Sequence, residues 1–236
     1  MAKNSEILAI IPARGGSKGI SRKNIKKLKG KPLLEYTSTA ALKSKYISRV
    51  ILSTEDKEIS KIGRDLGIEV PFLRSKNLAK DTTPSLIVFK EVLKILKKKE
   101  NYIPDYVVIL QPTSPFRTTE HIDKAIFLFL NSTSDSLVSV VEVPHNFNPL
   151  TTMRLNKNKI LKNFIESKKP ILQRQKKPKF YARNGAAIYI TTPDCILNKN
   201  SLLGKKIMGF TMSKLDSIDI DDNEDWTLAE ALLNGQ

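Results

Sequence analysis

Thiols and imidazoles are almost missing from this chain: Cys195 is its one cysteine, and His121 and His145 are its two histidines. A single cysteine cannot close an internal disulfide, and without a catalytic context it reads as a small buried apolar residue. Two histidines do not make a His-rich metal centre, so any metal here should be a hard cation held through oxygen. Long hydrophobic runs are missing as well. The longest, YVVIL at 106–110 and AIFLFL at 125–130, fall far short of the roughly 20 residues a membrane-crossing helix needs. The opening MAKNSEILAI has too short an apolar stretch, and no small-residue cleavage site, for a signal peptide. A soluble cytoplasmic protein with no membrane partner is therefore expected.

Positive charge is what the chain has in excess. Lys and Arg number 40 against 24 Asp and Glu, a formal net charge of +16. That balance raises a nucleic-acid-binding protein as a reading. The lysines, however, are spread over the whole chain, KILKKKE at 94–100 reads as a solvated helix face, and no basic stretch is interleaved with stacking aromatics. No nucleic-acid partner is expected, and that reading stays a distant alternative. With 40% hydrophobic content, 236 residues can bury a large core.

Hydrophobic periodicity predicts strands at 6–12, 47–54, 68–72, 105–111 and 136–143, most of them nearly continuous in apolar residues and so buried on both faces. Helical patterns fall between them at 32–45, 55–67, 84–99 and 119–131, with Pro32 and Pro84 suited to first turns and Gly67 to a helix end. This alternation predicts an α/β fold with a largely parallel sheet and helices on both faces. From 144 to 183 the text turns rich in Pro, Asn and Lys, without a long helix, and reads as an inserted β-type arm. Strands at 184–191 and 206–212 and a closing helix at 223–233 follow. The main domain is thus expected at 1–143 and 184–236.

Strand 6–12 runs into RGGSKGISRKN, at the edge of an open sheet where ligands gather. Gly15, Gly16 and Gly19 would let backbone amides converge on an anion through conformations closed to other residues, and Ser17 adds a hydroxyl. Arg14, Lys18 and Lys23 would neutralise phosphate charge, so a triphosphate is a fitting guest. The segment is neither a P-loop nor a dinucleotide fingerprint. Near the other terminus, SIDIDD at 217–222 would put Asp219 and Asp221 on one face of a strand, where a divalent cation could bridge them to phosphate oxygens. An acidic patch with Asp222 capping the next helix is the alternative.

Several stretches together resemble the acylneuraminate cytidylyltransferases, the CMP-sialic acid synthetases and their relatives acting on legionaminic and pseudaminic acids. They are IPARGGSKGISRKN, KPLLEYTSTAALKS, RVILSTEDKEISKIGRDLG, FLRSKNLAKDTTPS, YVVILQPTSPFRT, QRQKKPKFYARNGAAIYI and SIDIDDNEDWTLAEALL, standing in the family's order. VPHNFNP is closer to the legionaminate-type bacterial members. The resemblance implies a Rossmann-like mononucleotide-binding domain of the nucleotide-diphospho-sugar transferase type, with a dimerisation and sugar-binding arm at 144–183 that joins a homodimer. It implies that the anomeric hydroxyl of a nine-carbon 2-keto sugar acid attacks the α-phosphorus of CTP, releasing pyrophosphate. A 3-deoxy-octulosonate-type or other sugar nucleotidyltransferase is the alternative.

By the same resemblance Arg14, Ser17, Lys18, Lys23 and Asn24 hold the triphosphate, and Arg74, Asp81, Ser85 and Gln111 lie at the base and ribose. Gln111, Arg174, Gln175, Asn184 and Gly185 are implied for the sugar acid, and Asp219 and Asp221 for Mg²⁺ or Mn²⁺. Arg14, Lys18, Lys23 and Asp221 are the expected catalytic residues, with Asp221 or a hydroxide on the cation as candidates to take the proton. In PTSPFRTTE, Pro115, Thr118 and Thr119 read as a rigid, helix-capping connection. Arg117 is left open between ligand and solvent.

Overall fold

In the computed structural model, which describes residues 5–165 and 178–235, the first strand β1 (Ile7–Pro12) is buried along nearly its whole length. Its side chains alternate between two cores. Ile7, Ala9 and Ile11 enter one layer, and Leu8 and Ile10 enter the other. β5 (Tyr106–Ile109) divides in the same way, Val108 to the first layer and Val107 and Ile109 to the second. A strand buried on both faces needs helices on both sides, and the periodic segments supply them. α1 (Leu33–Leu42), α2 (Lys57–Asp65) and α4 (Thr119–Leu130) cover the first layer through residues such as Leu34, Ile59 and Phe129. α3 (Ser85–Glu100) and α5 (Pro193–Leu197) cover the second, through Phe89, Leu96 and Ile196.

The remaining strands are β2 (Lys27–Leu28), β3 (Lys31–Pro32), β4 (Arg49–Ser53), β6 (Ser136–Glu142), β7 (Met153–Leu155), β8 (Leu161–Asn163), β9 (Tyr181–Arg183), β10 (Tyr189–Thr191) and β11 (Ile207–Met212), and α6 (Asn223–Asn234) is the last helix. Among the described residues the central sheet runs β11-β6-β10-β5-β1-β4, with β9 also paired to β6. β1 is parallel to both β4 and β5, and β11 to β6, while β10 runs antiparallel to β5 and β6. The chain leaves β1 for β4 on one side and later returns to β5 on the other. The crevice beyond the ends of β1 and β5 is therefore a topological switch point.

Three of the strand expectations change in the structure. At 68–72 there is only an isolated parallel bridge from Ile51 to Glu69. Leu52 and Val50 exchange backbone hydrogen bonds with Glu69, and Pro71, lacking an N–H, cannot extend the ladder. The expected strand 184–191 begins only at Tyr189: β9, from the expected arm, ends at Arg183 opposite Val140 of β6, β10 pairs at Val138, and the residues between them loop out around Gly185, φ 68°. The third, 217–222, is an extended coil between β11 and α6. Its amides are taken elsewhere, Ile220 N–H by the Thr113 carbonyl (2.8 Å) and Asp221 N–H by the Asp225 carboxylate (2.9 Å), so no ladder forms.

Pro32 and Pro84 sit one position before their helices, as N-caps of α1 and α3. Gly67, at φ 84°, follows the end of α2. Within 144–183, β7 and β8 form a two-stranded hairpin whose strand residues are all exposed.

Candidate active site

The loop after β1 is anchored from below. Glu55, just past β4, accepts a hydrogen bond from Gly15 N–H (2.7 Å) and pairs with Arg74 (2.7 Å), so one carboxylate ties the loop to a second cation. Asn24, 6% exposed, donates to the Arg14 carbonyl (2.9 Å) and closes the loop on itself. Arg22 grips Asp56, the N-cap of α2, at 2.5 Å. That hydrogen bond holds the Asp56 carboxyl below its usual range and raises Arg22.

Gly15 and Gly19 are required for closeness and not for an unusual backbone, whereas a Cβ on Gly16 would meet nothing within 4 Å. None of Gly15, Gly16 and Gly19 has a positive φ, which corrects the sequence expectation. A Cβ on Gly19 would stand 2.1 Å from the Asp221 carbonyl oxygen, and one on Gly15 2.6 Å from Asp56 Oδ2. Gly19 therefore lets the loop lie directly on the segment that carries the acidic pair. Ile20 and Ile220 clamp that contact, buried in one cluster with Leu28, Leu33, Trp226 and Ala229 of α6.

The result is a cavity of about 490 Å³ at the switch point, lined by Arg14, Ser17, Lys18, Lys23, Arg74 and Asp221, with Asn24, Asp81, Ser85 and Gln111 also at its wall. Lys23 is held by the Ile220 carbonyl (2.6 Å) and the Asp221 carboxylate (3.2 Å), so residues about 200 positions apart meet there. Asp81 takes both Arg14 and Lys18, the latter at 3.3 Å. A carboxylate thus stands between the two cations best placed for phosphate. Gln111 and Ser85 also border a neighbouring cavity of about 240 Å³, lined further by Gly185, Tyr189 and Leu202.

Asp219 and Asp221 flank the buried Ile220. Asp221 is open to solvent, whereas Asp219 is half-buried with an Oδ1 that has no hydrogen-bond partner. Burial pushes the Asp219 carboxyl up, a hydrogen bond involving Thr113 pulls it down, and the charge of Asp221 adds to the rise. An orphaned buried carboxylate oxygen beside a second carboxylate fits a hard cation. Among the described residues no group of three His, Cys, Asp or Glu could hold a metal unaided. Such a cation would take its other ligands from water and phosphate, as Mg²⁺ does.

Gly185 packs on Asp219: a Cβ there would come 2.4 Å from Oδ2. Asn184 lines neither cavity; its amide donates to Ser217 (3.0 Å) and Met212, fastening the looped-out turn to the segment before Asp219. Asp222 caps α6 and Thr118 caps α4, each in a capping box. Arg174 and Gln175 lie outside the described residues.

Glu55 escaped the sequence reading, and Arg117 was left open by it. Glu55 could have been found from its place one residue past a strand end, at the ligand-bearing edge. Arg117 is 2% exposed and turns into the core, facing neither ligand nor solvent.

Comparison with known proteins places the chain in a family. A family model described as cytidylyltransferase matches residues 8–232. The chain is 33% identical to CMP-N,N'-diacetyllegionaminic acid synthase of Legionella pneumophila over 96% of each protein. It is 34% identical to N-acylneuraminate cytidylyltransferase of Escherichia coli over 95% of its own length and 51% of that protein. In fold it is similar to CMP:2-keto-3-deoxy-manno-octonic acid synthetase complexed with CTP, with a TM-score of 0.72 at 17% identity, covering 98% of this chain and 99% of that one.

Proposed function

Because the chain belongs to the cytidylyltransferase family, we propose that it transfers CMP from CTP to the anomeric hydroxyl of a nine-carbon 2-keto sugar acid of the sialic, legionaminic or related nonulosonic class. The hydroxyl oxygen bonds to the α-phosphorus, the bond from that phosphorus to the bridging oxygen breaks, and pyrophosphate leaves with the electron pair. The observation that carries this reading is the single cavity joining Arg14, Ser17, Lys18 and Lys23 to Asp221.

Arg14, Lys18 and Lys23 hold the triphosphate and stabilise charge building on the departing pyrophosphate, with Ser17 and the loop amides as oriented donors. Asn24 keeps the loop in shape through the Arg14 carbonyl. Arg74, Ser85 and Gln111 take the base and ribose side of the cavity. Asp81 holds Arg14 and Lys18 until phosphate displaces it. Gln111, Gly185 and the neighbouring cavity receive the sugar acid, with Asn184 fixing the turn; Arg174 and Gln175 belong to the same set by resemblance. Asp219 and Asp221 hold Mg²⁺ or Mn²⁺, which when bound polarises the α-phosphate. The exposed carboxylate of Asp221 or a hydroxide on the cation would take the hydroxyl proton. The arm at 144–183 joins two copies into a homodimer, a reading supported by the exposed Met153, Leu155, Ile160, Leu161 and Phe164 on it.

The test supplies CTP, Mg²⁺ and a panel of sialic, legionaminic, pseudaminic and 3-deoxy-octulosonic acids, and measures pyrophosphate release. Release with at least one nine-carbon acid is expected. Release with the eight-carbon acid alone would replace this reading by the octulosonate-type one, and silence with all of them would overturn both.

A further inference from the structure

Arg117 is among the largest fully buried side chains of the described residues, in the company of Phe89 and a set of Leu and Ile. A guanidinium removed from water is costly unless its hydrogens and charge are met. Its hydrogens go to neutral acceptors: the Ala187 carbonyl (2.7 Å) and Gln111 carbonyl (3.1 Å) from Nη1, and the Thr37 hydroxyl (2.5 Å) from Nη2. Thr37 in turn donates to the Gln111 carbonyl (3.3 Å), and Gln111 N–H donates to the Ala186 carbonyl (3.1 Å). The end of β5 and the looped-out turn after Gly185 are thereby stitched together from inside the core.

The charge is met differently. Burial lowers the Arg117 pKa to about 9, so the side chain is still a cation at neutral pH, and the carboxylate acting against that fall is Asp219. Among the described residues no ion pair joins the two. Arg117 Nε and Asp219 Oδ1 are both buried without a hydrogen-bond partner. A direct salt bridge would occupy the carboxylate lone pairs. Bound to neutral acceptors, the guanidinium leaves those lone pairs free, and it reaches Asp219 through the turn it holds, because Gly185 packs on that carboxylate.

We propose that Arg117 is a positioning residue, fixing Gln111, the Gly185–Ala187 turn and Asp219 relative to one another so that sugar acid and cation meet the α-phosphate in register. The proposal rests on the function given above. A lysine can keep the charge but not three directed hydrogen bonds to three elements, and a methionine keeps only volume.

The experiment compares the wild type with Arg117→Lys and Arg117→Met, and adds Thr37→Val as a milder variant that removes one contact should both arginine replacements fail to fold. Calorimetry measures CTP affinity, and Mn²⁺ affinity in the presence of CTP; pyrophosphate release gives kcat and the KM for the sugar acid. Folded Arg117 variants should lose CTP affinity by less than about tenfold, through Gln111, lose roughly 10- to 100-fold in Mn²⁺ affinity and kcat, and show a raised sugar-acid KM. Thr37→Val should move the same quantities less. A lower melting temperature with Mn²⁺ affinity, kcat and KM all unchanged would reduce Arg117 to a structural residue and overturn the proposal, as would Thr37→Val being indistinguishable from wild type. A wild type that releases no pyrophosphate would defeat the functional reading, while the Mn²⁺ and CTP titrations would still decide the place of Arg117.

Discussion

Lys18 is mostly exposed and, among the described residues, pairs with Asp81 alone, so in the proposed function its value lies in binding and not in the fold. Lys18→Ala should therefore leave the melting temperature nearly unchanged while pyrophosphate release falls on the order of 10²–10³-fold, the usual cost of removing one preorganised charge stabiliser. Asp81 makes the opposite case. In the proposed function its carboxylate competes with phosphate for Arg14 and Lys18, and both pairs are partly solvated. Asp81→Asn should bind CTP roughly two- to fivefold more tightly in a calorimetric titration, in line with the small worth of solvated ion pairs. Weaker binding would mean that Asp81 touches the nucleotide itself. The cations of the loop were legible in the sequence because charge and hydroxyl groups clustered after a strand announce an anion site. Asp81 as their occupant was not, since the sequence shows which residues exist and not which carboxylate folds back onto which cation.

Among elements, α2 shows how a helix supports a site it never touches. Asp56 caps it through Glu58 N–H (2.9 Å) and Ile59 N–H (3.0 Å) and holds Arg22 at the exit of the phosphate loop. Asp56→Ala should cost about 1–2 kcal/mol, read by chemical denaturation. The sign of its pH dependence follows from the direction of the shift. The folded carboxyl lies below the ordinary value of 3.8, so its contribution is complete above that value and disappears as pH falls through the lowered one. The gap between wild type and variant should be full at neutral pH and close in acid; a gap that widened in acid would contradict the pairing. Helices were legible here because their apolar spacing is local. The coil at 217–222 was not: alternation in SIDIDD looks like a strand, but Thr113 and Asp225 claim its amides from distant or later positions.

At the scale of the whole molecule, the exposed apolar hairpin of β7 and β8 stands apart from a well-buried sheet. Leu155 and Leu161 face each other across it at 63% and 54% exposure, which a protein acting alone in water gains nothing from. Leu161→Asp should shift a sedimenting dimer toward monomer; a wild type that sediments as monomer, or a variant unchanged as dimer, would remove the arm from the interface. No helix among the described residues is long and apolar enough to cross a membrane.

By itself the sequence determined the alternation of strands and helices, the clustering of glycine and positive charge at residues 14–24 and the acidic pair near the C-terminus, because each depends on neighbours in the chain. Only the tertiary structure decided that β10 runs against its neighbours, that Gly19 lets the loop rest on Asp221, and that Arg117 turns inward to bind three elements. Those outcomes depend on which distant backbone groups compete for the same donor or the same space, and that competition is settled when the layers pack.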